Sequence, residues 1–203
     1  MNLPNKITMS RFFVAILLFG FLVWTNTCSG PEWWIPALAA TVFLLAVVTD
    51  ALDGYYARKL GQQSDFGRIA DPVVDKIIVC GAFVFLISVD WARVYIGVWM
   101  AVVMIGREFL VSGLRGYIES RGVAFPSRWD GKLKMVMQCV AVPAVLVVRA
   151  IDLSLGQEYP AVLSFFIWLA HISVWATFVM TMISGARYVS AAADVLRGSD
   201  GQA

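Results

Sequence analysis

Residues 34–89 read WIPALAATVFLLAVVTDALDGYYARKLGQQSDFGRIADPVVDKIIVCGAFVFLISV. Two apolar runs, Trp34–Val48 and Val73–Val89, flank a polar segment, and Asp50, Asp53, Asp71 and Asp75 stand where the runs meet it. A helix that crosses a bilayer needs about 20 mostly apolar residues. Each run reaches that length only when the polar residues at its inner end are counted. The stretch therefore predicts two antiparallel membrane helices that carry acids at one shared end. A charge at membrane depth is costly and normally faces a cavity, a partner or an ion.

Outward from this stretch the same pattern recurs. Further apolar runs lie at Phe12–Trp24, Val94–Gly106, Met135–Val148 and Tyr159–Ile183. The whole chain has 203 residues, 60% of them hydrophobic and 15% charged, whereas soluble domains average roughly 45–50% apolar and 25% charged. The expected fold is all-α: one polytopic membrane domain over residues 1–203 with six transmembrane helices.

Orientation follows from the basic residues, which collect in cytosolic loops. With the N-terminus inside, six spans leave only Arg93 and Arg149 of the 16 Lys and Arg residues outside. Both termini are then cytosolic, and so are the acids. Trp33, Trp34 and Trp91 fall at the outer interface, a depth that suits indole rings. Residues 1–11, which mix Lys6 and Arg11 with Leu3, Ile7 and Met9, read as a short amphipathic helix on the inner surface. Gly116–Asp130 reads as the longest polar loop and 197–203 as a frayed tail. The first run lacks an Ala-x-Ala site and is read as a retained helix, not a signal peptide.

Several function classes are excluded. A net charge of +2 with no basic, aromatic-interleaved tract argues against nucleic acid. Cys28, Cys80 and Cys139 are scattered and odd in number, which suits neither a disulfide framework nor a zinc site. The one histidine, His171, has no carboxylate or cysteine near it in sequence and reads as a packing residue. Ser64 and Asp65 could touch a ligand or simply turn the chain.

The carboxylates carry the chemistry. Asp50 and Asp53 are spaced i,i+3 and Asp71 and Asp75 i,i+4, so each pair shares one helix face. Two adjacent antiparallel helices can aim all four at one point. Carboxylate oxygens alone select hard cations such as Mg²⁺, Mn²⁺ or Ca²⁺, and four acids can hold two ions, an arrangement suited to phosphoryl chemistry. Gly54 and Ala57 leave space for a ligand to approach. Arg58 adds a forked cation suited to phosphate.

The pattern Asp50-x2-Asp53-Gly54-x2-Ala57-Arg58-x8-Gly67-x3-Asp71-x3-Asp75 resembles, without gap or substitution, the signature of the CDP-alcohol phosphotransferases. The resemblance implies that the four aspartates bind two divalent cations, Mg²⁺ or Mn²⁺, and that Asp75 also serves as base for the acceptor hydroxyl. It implies that Asp50, Asp53, Gly54, Ala57, Arg58, Gly67 and Asp71 hold the CDP-linked lipid.

The stretch GREFLVSGLRGYIESRGVAFPSRWDGKLK at 106–134 bears on the acceptor. On a continuous helix Arg107 and Arg115 lie about 80° apart around the axis, two turns along, with Val111 between them. Two readings stay open from the residues alone: a basic cluster that takes an acceptor carrying its own phosphate, or the ordinary inside bias of Lys and Arg. The runs GREFLVSGLR, SRWDGKLKMVMQ and LPNKITMSR are similar to the bacterial phosphatidylglycerophosphate synthases of that family. That likeness implies CDP-diacylglycerol as donor and glycerol 3-phosphate as acceptor. Arg107, Arg115 and Lys132 would grip the phosphate, Ser112 and Lys134 would assist, and Glu108 would orient one of the bases. It also implies a bacterial inner-membrane location among membrane lipids, and a homodimer.

Two alternatives compete. One keeps the chemistry and changes the acceptor to serine, an inositol phosphate or a phosphatidylglycerol. The other is a cation-coupled transporter that uses the aspartates. Transporters place such sites near the midplane and show repeated halves or broken helices; here the acids sit at span ends and no repeat is seen.

Overall fold

Each of the six apolar runs builds one long helix. A computed structural model describes residues 3–27, 32–60, 65–123, 129–155 and 158–200, with side-chain surroundings for 13–27, 32–49, 73, 76–123, 129, 131–155 and 158–195. The helices are α1 (Leu3–Thr27), α2 (Trp34–Leu60), α3 (Asp65–Ser88), the single turn α4 (Asp90–Arg93), α5 (Val98–Ser120), α6 (Trp129–Ser154) and α7 (Pro160–Asp200). No strand occurs among the described residues. The all-α expectation holds.

By length and composition, two described helices are long and apolar enough to cross a membrane, Gly131–Ser154 and Pro160–Val195. Phe13–Thr27, Trp34–Thr49 and Lys76–Ser88 form shorter apolar helices. α5 is interrupted by Arg107, Glu108, Arg115 and Glu119.

Three boundaries differ from the sequence reading. α1 runs unbroken from Leu3 through the apolar run, with no separate helix ending at residue 11. Pro4 sits in its first turn, where a missing N–H costs nothing, and no other Pro or Gly precedes Gly20. α5 absorbs the start of the expected 116–130 loop and ends at Ser120. There the Gly122 amide donates to the Glu119 carbonyl at 3.0 Å with φ of +77°, a left-handed closure that favours glycine. α7 continues to Asp200, so 197–200 prolong the helix; 201–203 lie outside the described residues.

α6 is the central element, packing on α7 and α2, while α1 packs on α2 and α3, and α5 on α7. α3 touches α4, α5 and α6. Leu18, Leu22, Phe43, Phe83, Leu86, Met104, Val142 and Leu146 fill the shared core. Ala39, Ala82, Ala101, Ala141 and Ala170 are buried among them, and such small residues let helix backbones approach closely. A Cβ at Gly81 of α3 would fall 2.3 Å from the Phe19 ring of α1. Large apolar residues also cover the outside: Phe13, Leu45, Trp99, Phe165, Trp168 and Ile172 are all exposed.

Candidate active site

The acidic signature falls on two continuous helices. Asp50, Asp53, Gly54, Ala57 and Arg58 lie in α2, and Gly67, Asp71 and Asp75 lie in α3. Backbone helicity through both segments preserves the i,i+3 and i,i+4 spacing on which a shared face depends. Their side chains lie outside the described residues, as does Ser64. Among the described residues no three His, Cys, Asp or Glu groups come together, so the α2 and α3 aspartates remain the candidate ligands. A donor set of carboxylates alone on two helical faces fits hard divalent cations.

α3 also packs against α5 and α6, which carry a cluster of basic residues.

That cluster is built by three helices. Arg107 of α5 is buried at 9% exposure. Its Nη2 donates to Ser184 Oγ of α7 at 2.7 Å, and its Nη1 to Glu108 Oε1 at 3.3 Å. The same Glu108 oxygen accepts from Lys134 Nζ of α6, and Lys134 is 5% exposed. Ionic hydrogen bonds of this kind are roughly twice as strong as neutral ones. Arg115, two turns along α5, donates from Nη2 to Tyr188 Oη of α7 at 3.3 Å. Val111 is buried between the two arginines, packed with Ile118, Tyr188 and Ala192. Two close approaches depend on glycine: a Cβ at Gly185 would lie 2.9 Å from Arg107 Cγ, and one at Gly131 3.3 Å from Tyr188 Oη.

The candidates from sequence thus separate. Arg107 and Lys134 come together on Glu108, which orients both, and Arg115 joins Arg107 at Tyr188. Lys132 is exposed, with its ammonium 5.3 Å from the centre of the Trp129 ring. Ser112 spends its hydroxyl proton on the Glu108 carbonyl of its own helix at 2.8 Å. His171 packs with its ring 4.8 Å from that of Tyr95, in keeping with its expected role.

Sequence reasoning missed Ser184, Gly185 and Tyr188. Ser184 and Tyr188 lie 77 and 73 positions beyond their arginine partners, just past the end of the apolar run Tyr159–Ile183. The available signal was a polar stripe at helical spacing: Thr177, Thr181, Ser184 and Tyr188, all buried. The Thr181 hydroxyl donates to the Thr177 carbonyl at 2.7 Å and Ser184 to the Thr181 carbonyl at 3.3 Å. The Ser184 oxygen is thereby left as an acceptor for Arg107.

The chain is 35% identical over 98% of its length to the CDP-diacylglycerol–glycerol-3-phosphate 3-phosphatidyltransferase of Bacillus subtilis (strain 168), covering 99% of that protein. It is 34% identical over 96% of its length to the protein of the same name from Escherichia coli (strain K12), covering 97% of it. The Rickettsia typhi protein of that name is 30% identical over 94% of this chain and 96% of its own. Residues 1–183 match the family model for CDP-alcohol phosphatidyltransferases, and this chain, an enzyme of that class, belongs to the CDP-alcohol phosphatidyltransferase family.

Proposed function

We propose that this enzyme transfers the phosphatidyl group of CDP-diacylglycerol to sn-glycerol 3-phosphate, releasing phosphatidylglycerophosphate and CMP. The observation that carries the acceptor assignment is the buried pairing of Arg107 and Lys134, from two helices, on the one described carboxylate Glu108, with half-buried Arg115 joined to Arg107 through Tyr188. Buried cations without enough carboxylates favour an anionic ligand, and a phosphate matches the guanidinium fork. The names of the relatives point the same way.

Asp50, Asp53, Asp71 and Asp75 would hold two divalent cations, Mg²⁺ or Mn²⁺. When bound, these neutralise the pyrophosphate oxygens of the donor. Gly54, Ala57, Arg58 and Gly67 would receive the cytidine and its diphosphate. In the reaction, the acceptor hydroxyl oxygen forms a bond to the phosphorus that bears the diacylglycerol. The bond from that phosphorus to the CMP oxygen breaks, and its electron pair leaves with CMP. Asp75 accepts the hydroxyl proton, while Arg107, Arg115 and Lys134 fix the acceptor by its phosphate so that the hydroxyl faces the reacting phosphorus.

The same reading places the chain in a bacterial inner membrane, six-spanning, with both termini and the active site cytosolic, residues 1–11 at the inner interface, and two copies per assembly. The exposed Phe13, Leu45, Trp99, Phe165 and Trp168 support a lipid-facing surface, since large exposed apolar side chains in such number suit contact with lipid.

One assay tests the reaction: CMP release from CDP-diacylglycerol in detergent, with Mg²⁺ or with excess chelator, and with each acceptor in turn. Turnover is expected with glycerol 3-phosphate and Mg²⁺, and none with chelator. Robust turnover with serine, an inositol phosphate or phosphatidylglycerol, and none with glycerol 3-phosphate, overturns the acceptor. Full activity in chelator overturns the metal mechanism.

A further inference from the structure

Arg107 and Arg115 stand two turns apart on α5, so helix geometry alone does not direct them at one ligand. What joins them is Tyr188 of α7. The guanidinium carbons of Arg107 and Arg115 lie 5.7 and 5.9 Å from the centre of its ring, within the roughly 6 Å over which a cation is held by an aromatic quadrupole. Its hydroxyl oxygen accepts from Arg115 Nη2 at 3.3 Å. The ring is itself fixed. Tyr188 is 3% exposed, packed with Val111, Ile118 and Ala192. Backbone of α6 closes on it at Gly131, where a Cβ would sit 3.3 Å from Oη and 3.4 Å from Cε2.

The geometry points to Tyr188 as a positioning residue for the acceptor phosphate: one buried phenol ties together two arginines from successive parts of α5 so that both engage the same anion. The inference rests on the reading of this cluster as the acceptor site. Tyr188 acts through the arginines and needs no contact with the substrate. A tyrosine that merely filled the core would, when changed, weaken the whole fold and affect both substrates alike. A positioning tyrosine affects the acceptor alone.

The test uses the full-length enzyme in detergent, with CMP release measured as each substrate is varied separately. Tyr188→Leu should raise the apparent KM for glycerol 3-phosphate by ~tenfold, with kcat and the KM for CDP-diacylglycerol within about twofold. Tyr188→Phe keeps the ring and should recover all but about threefold of the acceptor KM. In an Arg115→Ala background the effect of Tyr188→Leu should shrink, because one of the two cations it places is gone. An unaltered acceptor KM in Tyr188→Leu overturns the proposal, as does an equal rise in both KM values or an effect of the same size in both backgrounds. If Tyr188→Leu gives no monodisperse protein, Gly131→Ala, which presses on the phenol edge, should raise the acceptor KM alone by about two- to fivefold; no change there also overturns it. Arg115→Ala with unaltered glycerol 3-phosphate dependence would instead defeat the acceptor reading, whatever Tyr188 does.

Discussion

The two ends of this molecule handle arginine in opposite ways. Arg93 and Arg149 each pair with an aspartate three positions away in their own segment, Asp90 at 3.0 Å and Asp152 at 3.1 Å, and Arg149 also lies over the Trp91 ring at 5.6 Å. These are local, self-neutralising pairs, and the Arg93–Asp90 pair is open to solvent, with side chains 53% and 94% exposed. Arg107 and Lys134 are instead buried, come from two helices and share Glu108, while hydroxyls of a third helix brace Arg107 and half-buried Arg115. Lys134 and Arg149 sit near opposite ends of α6, about 22 Å apart at 1.5 Å per residue. Cations satisfied within one turn need nothing further. Cations assembled over long sequence separations, with one described carboxylate among them, are the arrangement expected of a binding site.

Neutralising charge at the cluster end should therefore harm function, and at the other end only stability. The largest effect belongs to the aspartates of the α2 and α3 signature. Asp71→Asn should lower turnover by ~10³-fold or more, and Asp75→Asn should still bind CDP-lipid yet form almost no product. Near-normal rates in Asp71→Asn would remove the metal mechanism; near-normal rates in Asp75→Asn, or its rescue by more Mg²⁺, would remove the base from it. Next comes Arg115→Ala, which loses a charge-assisted contact and should raise the KM for glycerol 3-phosphate by roughly one to two orders of magnitude. Lysine there should restore only part of it, since an ammonium lacks the fork. The KM for CDP-diacylglycerol is the internal control.

A sharper division runs within the basic residues themselves. Lys134→Ala leaves Glu108 with Arg107 alone of its two buried partners and should cost ~tenfold or more in kcat/KM. Lys132→Ala, at an exposed position over Trp129, should stay within about threefold. The reverse order would show that the exposed lysine serves the acceptor. The smallest effect is at the far end: Arg149→Ala should shift thermal stability by about 0–1 kcal/mol and leave both KM values unchanged. A selective loss of acceptor affinity in that variant would break the contrast between the two ends.

Legibility in the sequence followed the same contrast. Apolar runs announce helices through composition alone, so the all-helical architecture and its long elements could be read directly. The aspartates were legible because their partners lie within one turn of helix. Arg107 and Arg115 were also nominated. The choice between Lys132 and Lys134 was not readable, because the two differ by two positions on α6 and only packing decides which one is buried. Ser184, Gly185 and Tyr188 went unread for a related reason. Their meaning lies in contacts across more than 70 positions, and hydroxyls that bond to their own helix backbone look unremarkable at the end of an apolar run. The C-terminal limit of α5 was misplaced because a helix followed by polar residues and Gly122 looks like loop until the left-handed closure is seen.

The length of α7 has a consequence of its own. Its 41 residues extend about 62 Å, twice the roughly 30 Å of a hydrocarbon core. A helix of that length that crosses the hydrocarbon core must extend well beyond it. In the membrane reading, the donor reaches the enzyme dissolved in lipid and the acceptor dissolved in water, and the two must meet at the boundary. Ser184 and Tyr188 stand in the second half of α7, where a helix that begins on the far side of the bilayer emerges into water. The element that secures the water-borne substrate is then continuous with one that is anchored in oil, and a partition problem between two phases becomes a question of depth along a single rod.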